Sequence, residues 1–444
     1  MFFKQFYDNH LSQASYLVGC QRTGEAMIID PVRDLTKYME VADSEGFKIT
    51  QAAETHIHAD FASGIRDVAE RLNAKIYVSG EGDDQLSYKN MSEQTHFVKH
   101  QDIIHVGNIK LEVLHTPGHT PESISFLLTD EGGGSSVPMG LFSGDFIFVG
   151  DIGRPDLLEK SVQVEGSTEV SAKQMYQSIE SVKGLPDYIQ IWPGHGAGSP
   201  CGKALGAVPM STLGYEKINN WAFSETDETK FIETLTSNQP APPHHFTQMK
   251  KINQFGMELY QPYNVYPSLS NEKIAFDLRS KEAFHGGHTK GTINIPYNKN
   301  FINQIGWYLD YEKSIDLIGD KSTVEQAAHT LQLIGFNNVT GFRLPKAEVK
   351  TQSIHSMDIT GKEEHVLDVR NDEEWNNGHL DQAVNIPHGK LLNENIPLNK
   401  EDKIYVHCQS GVRSSIAVGI LENKGFENVV NIREGYQDFP ESLK

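Results

Sequence analysis

Short apolar stretches alternate with longer amphipathic stretches along the first 236 residues. Runs of a few consecutive apolar or β-branched residues predict strands, at 15–20, 26–30, 49–53, 75–78, 109–115, 123–129, 141–143 and 189–192. Residues 1–8 predict a first edge strand. Apolar residues at helical spacing predict helices at 35–46, 62–73 and 170–182. This mixture predicts a layered α/β domain, with functional groups on the loops that follow strands.

The segment Ser237–Phe246 interrupts this pattern. It contains three prolines among polar residues and shows no periodicity. Proline lacks a backbone donor and disfavours helix in the residue before it, so such a stretch is typical of a linker. We therefore expect the first domain to span residues 1–240.

The rest of the chain contains an internal repeat with a period of about 90 residues. Both copies have an Asp-x-Arg, a Gly-His and an Ile-Pro pattern, at Asp277-Leu278-Arg279, Gly287-His288, Ile295-Pro296 and at Asp368-Val369-Arg370, Gly378-His379, Ile386-Pro387. Each Asp-x-Arg belongs to an apolar stretch that predicts a strand. The repeat therefore predicts two domains of the same kind, at residues 250–350 and 355–444.

The second copy contains a cysteine, Cys408, between a predicted strand at 403–407 and a predicted helix. In such a loop the backbone N–H groups converge on the sulfur, and the helix dipole favours a thiolate. Arg413 adds positive charge, so we expect Cys408 and Arg413 to form a catalytic site for sulfur transfer. The first copy has Ile315–Lys321 at this place and no cysteine. It is predicted to be inactive in sulfur transfer and to serve as a spacer or docking surface.

The first domain contains a second group of chemically active residues. Three of them alternate in a loop between a predicted strand and a predicted helix, and three stand beside glycines: His56, His58, Asp60, His119, Asp145 and His195. Imidazole and carboxylate groups are common ligands of zinc and of non-haem iron. The sequence therefore predicts a metal site in this domain.

This series resembles the metallo-β-lactamase superfamily and, within it, the persulfide dioxygenases. The stretch Gly153-Arg154-Pro155-Asp156 is similar to the Gly-Arg-x-Asp stretch of that branch. The resemblance implies an αββα sandwich that binds one Fe(II) per chain. The implied ligands are His56, His119 and Asp145, and the residues implied to surround and orient them are His58, Asp60 and His195.

The repeated patterns of the tail resemble the rhodanese fold, a small α/β domain around a parallel sheet. The expected fold class is α/β, with a metallo-β-lactamase-like αββα sandwich followed by two rhodanese-like domains. Together the resemblances imply oxidation of low-molecular-weight thiol persulfides by O₂ to sulfite and thiol, followed by sulfur transfer from Cys408 persulfide to sulfite, which gives thiosulfate. Arg154 and Cys201 are candidates for substrate binding, although Arg154 could instead pair with Asp156.

Two other functions fit parts of the sequence. A zinc-dependent thioester hydrolase of the glyoxalase II type binds two metals with a similar series, but its pattern has a histidine where this chain has Phe61. Persulfide dioxygenases commonly have that histidine too, but a one-iron site does not need it. Phe61 therefore weakens the two-metal interpretation more. The second alternative, a non-oxidative sulfur carrier, would need Cys408 and not the metal.

Composition limits the remaining classes. The formal net charge of −20 argues against nucleic-acid binding and against anionic membrane surfaces. No apolar run approaches the roughly 20 residues of a membrane-spanning helix, and the first residues lack a signal-peptide pattern. The three cysteines, Cys20, Cys201 and Cys408, are too scattered for a disulfide framework and favour the reducing cytoplasm. The family resemblance implies a homo-oligomer, either a dimer or a tetramer.

Overall fold

The computed structural model describes residues 1–82, 86–162, 166–268 and 273–444, which fold into two compact units. The first unit comprises Met1–Gln261 and Gln332–Gly335, and the second comprises Pro262–Leu331 and Phe336–Lys444. The proline-containing segment at 237–246 therefore lies inside the first unit, and the change of unit comes later in the chain. The described part of the chain has no helix that is both long enough and apolar enough to cross a membrane.

The first unit contains two six-stranded sheets within the described ranges. The first sheet consists, in chain order, of β1 (Phe2–Asp8), β2 (Gln13–Cys20), β3 (Glu25–Ile29), β4 (Lys48–Ala53), β5 (Lys75–Ser79) and β6 (Thr95–Val98). The second consists, again in chain order, of β7 (Ile103–Val106), β8 (Ile109–His115), β9 (Ile124–Asp130), β10 (Gly140–Gly144), β11 (Gln190–Pro193) and β12 (Ser211–Thr212). The predicted N-terminal edge strand is confirmed as β1.

Helices connect the strands and extend beyond them. They are α1 (Thr36–Ser44), α2 (Ile65–Leu72), α3 (Leu157–Val162), α4 (Ser167–Val182), α5 (Leu213–Asn219), α6 (Trp221–Ser224), α7 (Glu228–Thr236) and α8 (His245–Phe255). The three helices predicted for this part of the chain are confirmed as α1, α2 and α4. Helix α7 begins where the Asp227 carboxylate accepts hydrogen bonds from the N–H groups of Thr229 and Lys230, as expected of an N-cap residue.

The two sheets pack against each other through apolar faces. In β8 the buried residues alternate with partly exposed ones, so Ile109, Leu111 and Val113 point to the same side. These three side chains lie in one buried cluster with Val18 and Met27 of the first sheet. The core of the unit is therefore the layer between the sheets.

Helices cover the outer faces of both sheets. Met175 of α4 and Phe231 of α7 lie in one buried cluster with Leu141 and Ile191 of the second sheet. Helices α1 and α2 pack on β4 of the first sheet. This arrangement confirms the α/β fold class and the αββα sandwich predicted for the first part of the chain.

The second half of the chain contains two parallel sheets. The first sheet has the order β14-β13-β15-β16, with β13 (Ala275–Asp277), β14 (Ile293–Asn294), β15 (Ile315–Ile318) and β16 (Val339–Arg343). The second has the order β17-β21-β20-β18-β19, with β17 (Gln352–Ile354), β18 (Val366–Asp368), β19 (Ala383–Asn385), β20 (Lys403–His407) and β21 (Asn428–Ile432). The helices are α9 (Lys281–Gly286), α10 (Phe301–Ile305), α11 (Lys321–Leu333), α12 (Asp372–Asn376) and α13 (Val412–Asn423).

The sequence repeat is also a repeat of contacts. We call residues 275–331 with 336–349 the first repeat and residues 352–442 the second repeat. In each, the arginine of Asp-x-Arg forms an ion pair with the aspartate and donates to the carbonyl oxygen of the Gly-His glycine. These distances are 2.7 and 3.0 Å in the first repeat (Arg279 with Asp277 and Gly287) and 2.7 and 2.8 Å in the second (Arg370 with Asp368 and Gly378). The shared patterns therefore maintain the same scaffold twice.

The two repeats differ in the loop that precedes a long helix. Gly319 and Asp320 connect β15 directly to α11 in the first repeat, whereas Cys408–Gly411 separate β20 from α13 in the second. A two-residue connection has too few backbone N–H groups to surround a sulfur atom. The structure thus gives a geometric reason, besides the missing cysteine, for the predicted inactivity of the first repeat.

Helix α13 is covered on two opposite sides. It packs on β20 and β21 of its own sheet and on β14 of the first repeat, and residues 414–421 are all buried. Gly419 allows this close approach, since a Cβ atom there would lie 2.1 Å from the carbonyl oxygen of Thr292. A helix that is buried on all sides, as residues 414–421 of α13 are, has to pack against other elements on more than one side.

We predict that Gly419→Ala lowers the free energy of unfolding of the second unit by about 1–3 kcal/mol, the usual cost of overpacking a core. The added methyl group would meet the Thr292 backbone, which cannot rotate away. Gly286→Ala is the matched control because a Cβ atom at Gly286 has open space around it. Urea unfolding curves would measure both variants. Equal stability of the two would contradict a tight contact at Gly419.

Candidate functional site

All six predicted metal-site residues come from the loops after β4, β8, β10 and β11, and all six are buried: His56, His58, Asp60, His119, Asp145 and His195. The two sheets contribute to one place because these strand ends lie on the same edge of the sandwich. Gly144, at the end of β10, has a φ of +52°, and a Cβ atom there would lie 2.5 Å from the Thr55 hydroxyl oxygen. Glycine at this position thus allows the strand end to approach the loop that carries His56.

Three side chains meet closely enough to share a metal ion. Nε2 of His56 lies 3.8 Å and Nε2 of His119 lies 3.5 Å from Oδ2 of Asp145, and one donor atom from each residue falls within 4.8 Å of the others. Among the described residues, none of these atoms has a hydrogen-bond partner, although all are buried. Buried polar atoms without partners are costly, so this set fits a cation held by two imidazoles and one carboxylate.

The protonation of these groups agrees with metal binding. Nδ1 of His119 lies 2.9 Å from the Arg154 carbonyl oxygen and donates to it, which leaves Nε2 with a free lone pair. Burial holds the pKa of His56 and of His119 well below its ordinary value, so both rings are neutral. Burial also raises the pKa of Asp145 to about 6, and a bound cation would offset that cost.

A second cluster adjoins the first. One donor atom each from Asp60, His195 and Cys201 falls within 4.8 Å of the others. Nε2 of His195 lies 3.2 Å from Oδ2 of Asp60 and 3.5 Å from Oδ1 of Asp145, so Asp145 connects the two clusters. Burial raises the pKa of the Cys201 thiol well above its ordinary value. The structure thus brings Cys201, a tentative candidate from sequence, into direct reach of the metal site.

His58 and Phe61 lie on the other side of the loop. Nε2 of His58 faces Oδ1 of Asp30 at 3.3 Å and Oε1 of Glu54 at 3.9 Å. Burial opposes a charge on His58, but the carboxylates of Asp30 and Glu54 raise its pKa to about 9. The Phe61 ring is fully buried and packs on His58 with 4.4 Å between ring centroids. An apolar ring therefore occupies the position where a second-metal histidine would stand.

Arg154 is a buried structural group in this arrangement. Its guanidinium forms a two-point ion pair with Asp156, at 2.7 and 2.8 Å, and donates to the carbonyl oxygens of Pro200 and Pro240. Its own carbonyl oxygen accepts the His119 hydrogen bond. These contacts give Arg154 a role in orienting His119, and they favour its pairing with Asp156 over direct contact with substrate.

Helix α8 holds the His56–Phe61 loop from outside. Nζ of Lys250 donates to the Ile57 carbonyl oxygen at 2.6 Å, and Nδ2 of Asn253 donates to the carbonyl oxygens of His58 and Phe61 at 2.9 and 2.7 Å. Sequence reasoning missed Lys250 and Asn253 because it ended the domain before this helix. The signal available was a polar residue at each of two positions on the apolar side of an amphipathic helix.

The cysteine loop has the cradle that its sequence predicts. Cys408 is fully buried, and the Gly411 N–H donates to its sulfur at 3.1 Å. Ser414 Oγ lies 3.9 Å from the same sulfur. Gly411 has a φ of +80°, and a Cβ atom there would lie 1.7 Å from the Arg433 carbonyl oxygen, so the loop requires glycine at this point. Helix α13 begins immediately after it and directs its positive end toward the loop.

The positive charge expected from Arg413 is already paired. Nη1 and Nη2 of Arg413 donate to the Glu374 carboxylate at 2.6 and 2.7 Å. Arg370 is likewise paired with Asp368, and its guanidinium stacks 3.9 Å over the Tyr436 ring. Cys408 lies in the loop and Arg413 in the first turn of α13, but Glu374 offsets much of the charge that the arginine was expected to supply.

Comparisons with known proteins agree with this architecture. The metallo-beta-lactamase superfamily model matches residues 9–195, and the rhodanese-like domain model matches residues 352–442. A crystal structure of a metallo-beta-lactamase from Staphylococcus aureus subsp. aureus COL is 73% identical, with a TM-score of 0.75, over 78% of this chain and 99% of that chain.

Two further relatives cover the first unit. The crystal structure of ETHE1 from Myxococcus xanthus is 27% identical, with a TM-score of 0.46, over 57% of this chain and 98% of that chain. A hydroxyacylglutathione hydrolase of Polaromonas sp. (strain JS666 / ATCC BAA-500) is 29% identical over 239 residues, which are 51% of this chain and 82% of that protein. With the high identity to the staphylococcal structure, the matched residues lead to one assignment: the chain belongs to the metallo-beta-lactamase superfamily and carries a rhodanese-like domain near its C-terminus.

Proposed function

We propose that this protein oxidises low-molecular-weight thiol persulfides with O₂ and couples that oxidation to sulfur transfer at Cys408. One observation carries the proposal: buried ligand atoms of His56, His119 and Asp145 meet without other partners among the described residues, in a chain that also has Cys408 in a loop whose Gly411 N–H donates to its sulfur. Two imidazoles and one carboxylate on one side of a metal leave several positions open, which suits a non-haem Fe(II) oxygenase. Iron(II), when bound, would supply the redox chemistry with O₂ that zinc does not have.

At this centre the protein itself orients the ligand side chains and excludes water. The Arg154 carbonyl fixes the ring of His119, and helix α8 holds the loop that carries His56. All three ligands are almost fully buried, so the charges around them act in a medium of low dielectric constant. The anionic terminal sulfur of a persulfide is the group that such a site attracts.

Cys408 is proposed to carry sulfane sulfur. Its thiolate attacks the terminal sulfur of a second persulfide, a Cys408 S–S bond forms, and the thiol RSH leaves after its sulfur takes the proton of the persulfide. Sulfite then attacks the outer sulfur of the Cys408 persulfide, and the bond to Cys408 breaks to return the thiolate and release thiosulfate. In total, two RSSH, O₂ and water give two RSH, thiosulfate and two protons.

We also propose that the first repeat is a degenerate rhodanese-like domain. Its strands follow the same order as four strands of the second repeat, and its Asp-x-Arg contacts are the same. A free cysteine at position 408 stays reduced in a reducing compartment, which supports the cytoplasm as the site of action.

A second candidate function has support of its own. The cluster of Asp60, His195 and Cys201 adjoins the first cluster and offers a second metal position, and hydroxyacylglutathione hydrolase relatives align with this part of the chain. A two-zinc thioester hydrolase would use both positions. Phe61 opposes this candidate because the hydrolase pattern has a metal-binding histidine at that place in the sequence, and here an apolar ring packs on His58 instead.

We predict that Asp145→Ala loses the metal and lowers persulfide-dependent O₂ uptake by about 100-fold or more, since loss of groups that only orient ligands already costs about 10–100-fold. His105→Ala is the control because this histidine is exposed and lies outside the cluster. Metal analysis and an oxygen electrode would measure both variants. Unchanged O₂ uptake in Asp145→Ala would contradict the role of Asp145 as a metal ligand, whereas sulfur transfer without any O₂ uptake in the wild-type protein would favour the non-oxidative sulfur carrier.

The metal itself can be exchanged to separate the two candidate enzymes. The chelated protein is expected to regain O₂ uptake with about one Fe(II) per chain and not with Zn(II), because zinc has no redox chemistry. Hydrolysis of a glutathione thioester is measured on the same samples. Two zinc ions per chain with thioester hydrolysis and no O₂ uptake would contradict the dioxygenase.

Cys408→Ser is expected to keep O₂ uptake within about twofold of the wild-type rate, because Cys408 is not part of the metal cluster. Without a sulfur carrier, sulfite should accumulate in place of thiosulfate. Cys20→Ser serves as the control for loss of a thiol elsewhere in the chain. Ion chromatography of the products would decide, and thiosulfate at the wild-type rate in Cys408→Ser would contradict the coupling.

A further inference from the structure

A cavity of about 580 Å³ in the second unit is lined by residues of both repeats. Its floor includes Ser353 and Asn431, which are register partners of the parallel strands β17 and β21. Thr351 and Arg433 lie two residues away from these along the chain and line the cavity as well. Side chains two residues apart in a strand point to the same side of the sheet. One face of the sheet is therefore polar where it borders the cavity.

A polar face is not what a parallel sheet needs for packing, since both of its faces are normally apolar. The opposite face follows this rule, because Ile354 and Ile432 lie in one apolar cluster. Asn431 is fully buried, yet neither Oδ1 nor Nδ2 of its side chain has a hydrogen-bond partner among the described residues, and Oγ1 of Thr351 has none either. Such atoms are costly to bury, so they indicate an occupant with donor and acceptor groups.

The first repeat supplies one wall of the cavity through α9. Lys281, Glu282 and His285 of this helix line it. Nε2 of His285 lies 2.8 Å from the hydroxyl oxygen of Ser415, which belongs to α13. This contact fixes the wall against the helix that follows Cys408.

Charges of both signs surround the cavity. Within the described ranges, two cationic and two anionic side chains line it without forming an ion pair: Lys281, Arg433, Glu282 and Asp438. A ligand with a single sign of charge would be repelled by half of them, whereas a ligand with a carboxylate and an ammonium group matches both. Sites for small organic molecules typically measure about 300–1,000 Å³, so the volume suits such a ligand.

The cavity reaches the cysteine loop at Ser410. The backbone nitrogen of Gly411 lies 3.1 Å from the Cys408 sulfur, and the carbonyl carbon of Ser410 is bonded to that nitrogen at about 1.33 Å. This wall of the cavity therefore comes within about 4.5 Å of the sulfur. Gln437, another lining residue, donates its N–H to the carbonyl oxygen of Gln409 in the same loop.

We propose that this cavity binds the small thiol that carries the sulfane sulfur, by its carboxylate, ammonium and amide groups, beside the Cys408 loop. This inference rests on the proposed function and names the class of thiol that delivers sulfur there: a zwitterion of the amino-acid or short-peptide type. In the delivery step, a bond forms between the Cys408 sulfur and the terminal sulfur of the persulfide. The bond between the two persulfide sulfurs breaks, and its electron pair stays with the carrier sulfur, which takes the proton of the persulfide.

The first measurement is calorimetric titration of the full-length protein with S-methylglutathione, which has both charges and amide groups but no reactive thiol. Lys281→Gln removes a cation, and Asn431→Leu removes the amide at similar volume. Each is expected to weaken binding about tenfold, the ratio that corresponds to one lost hydrogen bond. Lys299→Gln is the matched control, because Lys299 is an exposed lysine of the first repeat outside the cavity. The neutral thioether 2-(methylthio)ethanol should not bind.

The second measurement follows the loading of Cys408 under anaerobic conditions, so that oxidation at the metal centre does not contribute. Glutathione persulfide and thiosulfate are compared as sulfur donors, and mass spectrometry of the peptide that contains Cys408 measures the product. Lys281→Gln and Asn431→Leu are expected to raise KM for glutathione persulfide about tenfold at unchanged kcat, as expected for loss of a binding contact. Loading from thiosulfate, which has no ammonium group, should stay at the wild-type rate.

No binding of S-methylglutathione to the wild-type protein, or equal binding and equal KM in both cavity variants, would overturn the inference while leaving the proposed function in place. An equal loss of loading from thiosulfate would also overturn it, because that result indicates a disturbed loop and not a lost contact with the thiol. If the wild-type protein forms no Cys408 persulfide with either donor, the proposed function fails, and delivery of sulfur from this cavity fails with it.

Discussion

The free-energy cost of burying polar groups without partners is the main constraint on the candidate metal site of the first unit. His56, His119 and Asp145 lie in a layer from which water is excluded, and their inward atoms have no protein partner among the described residues. Such a cluster is stable only with a cation in its centre and with rigid support behind each ligand. The surrounding structure supplies that support through the Arg154 carbonyl and through the amide and ammonium groups of α8.

In the second unit the buried polar group is the Cys408 sulfur, and its hydrogen-bond partner is a backbone N–H group. The Gly411 N–H donates to the Cys408 sulfur just before α13 begins, and the nearby arginines are paired with carboxylates. Pairing keeps the buried charges compensated, but it leaves little net positive charge for the anions that the proposed transfer brings together.

The first repeat has no cysteine, but it shares the scaffold of the second repeat and packs against it. The Asp-x-Arg ion pair and its bond to a glycine carbonyl maintain the same scaffold in both repeats. The first repeat, which lacks the cysteine loop, packs on α13 through β14 and contacts the turn at His388 through Tyr308. The spacer or docking role expected from sequence stays a prediction, and the contacts observed join the first repeat to α13 and to the turn at His388.

The sequence by itself determined the fold class, most strands, the repeat and the identity of the ligand candidates, because periodicity, turn residues and the order of histidines and aspartates are local signals. It also identified Cys408 and its loop, since a strand, four residues and a helix are contiguous in the chain. Only the tertiary structure decided that Cys201 joins Asp60 and His195, that Glu374 pairs with Arg413, and that Lys250 holds the loop of His56 from a distant part of the sequence. Such contacts depend on the register and packing of distant elements, and no local pattern records which distant side chain fills a given position.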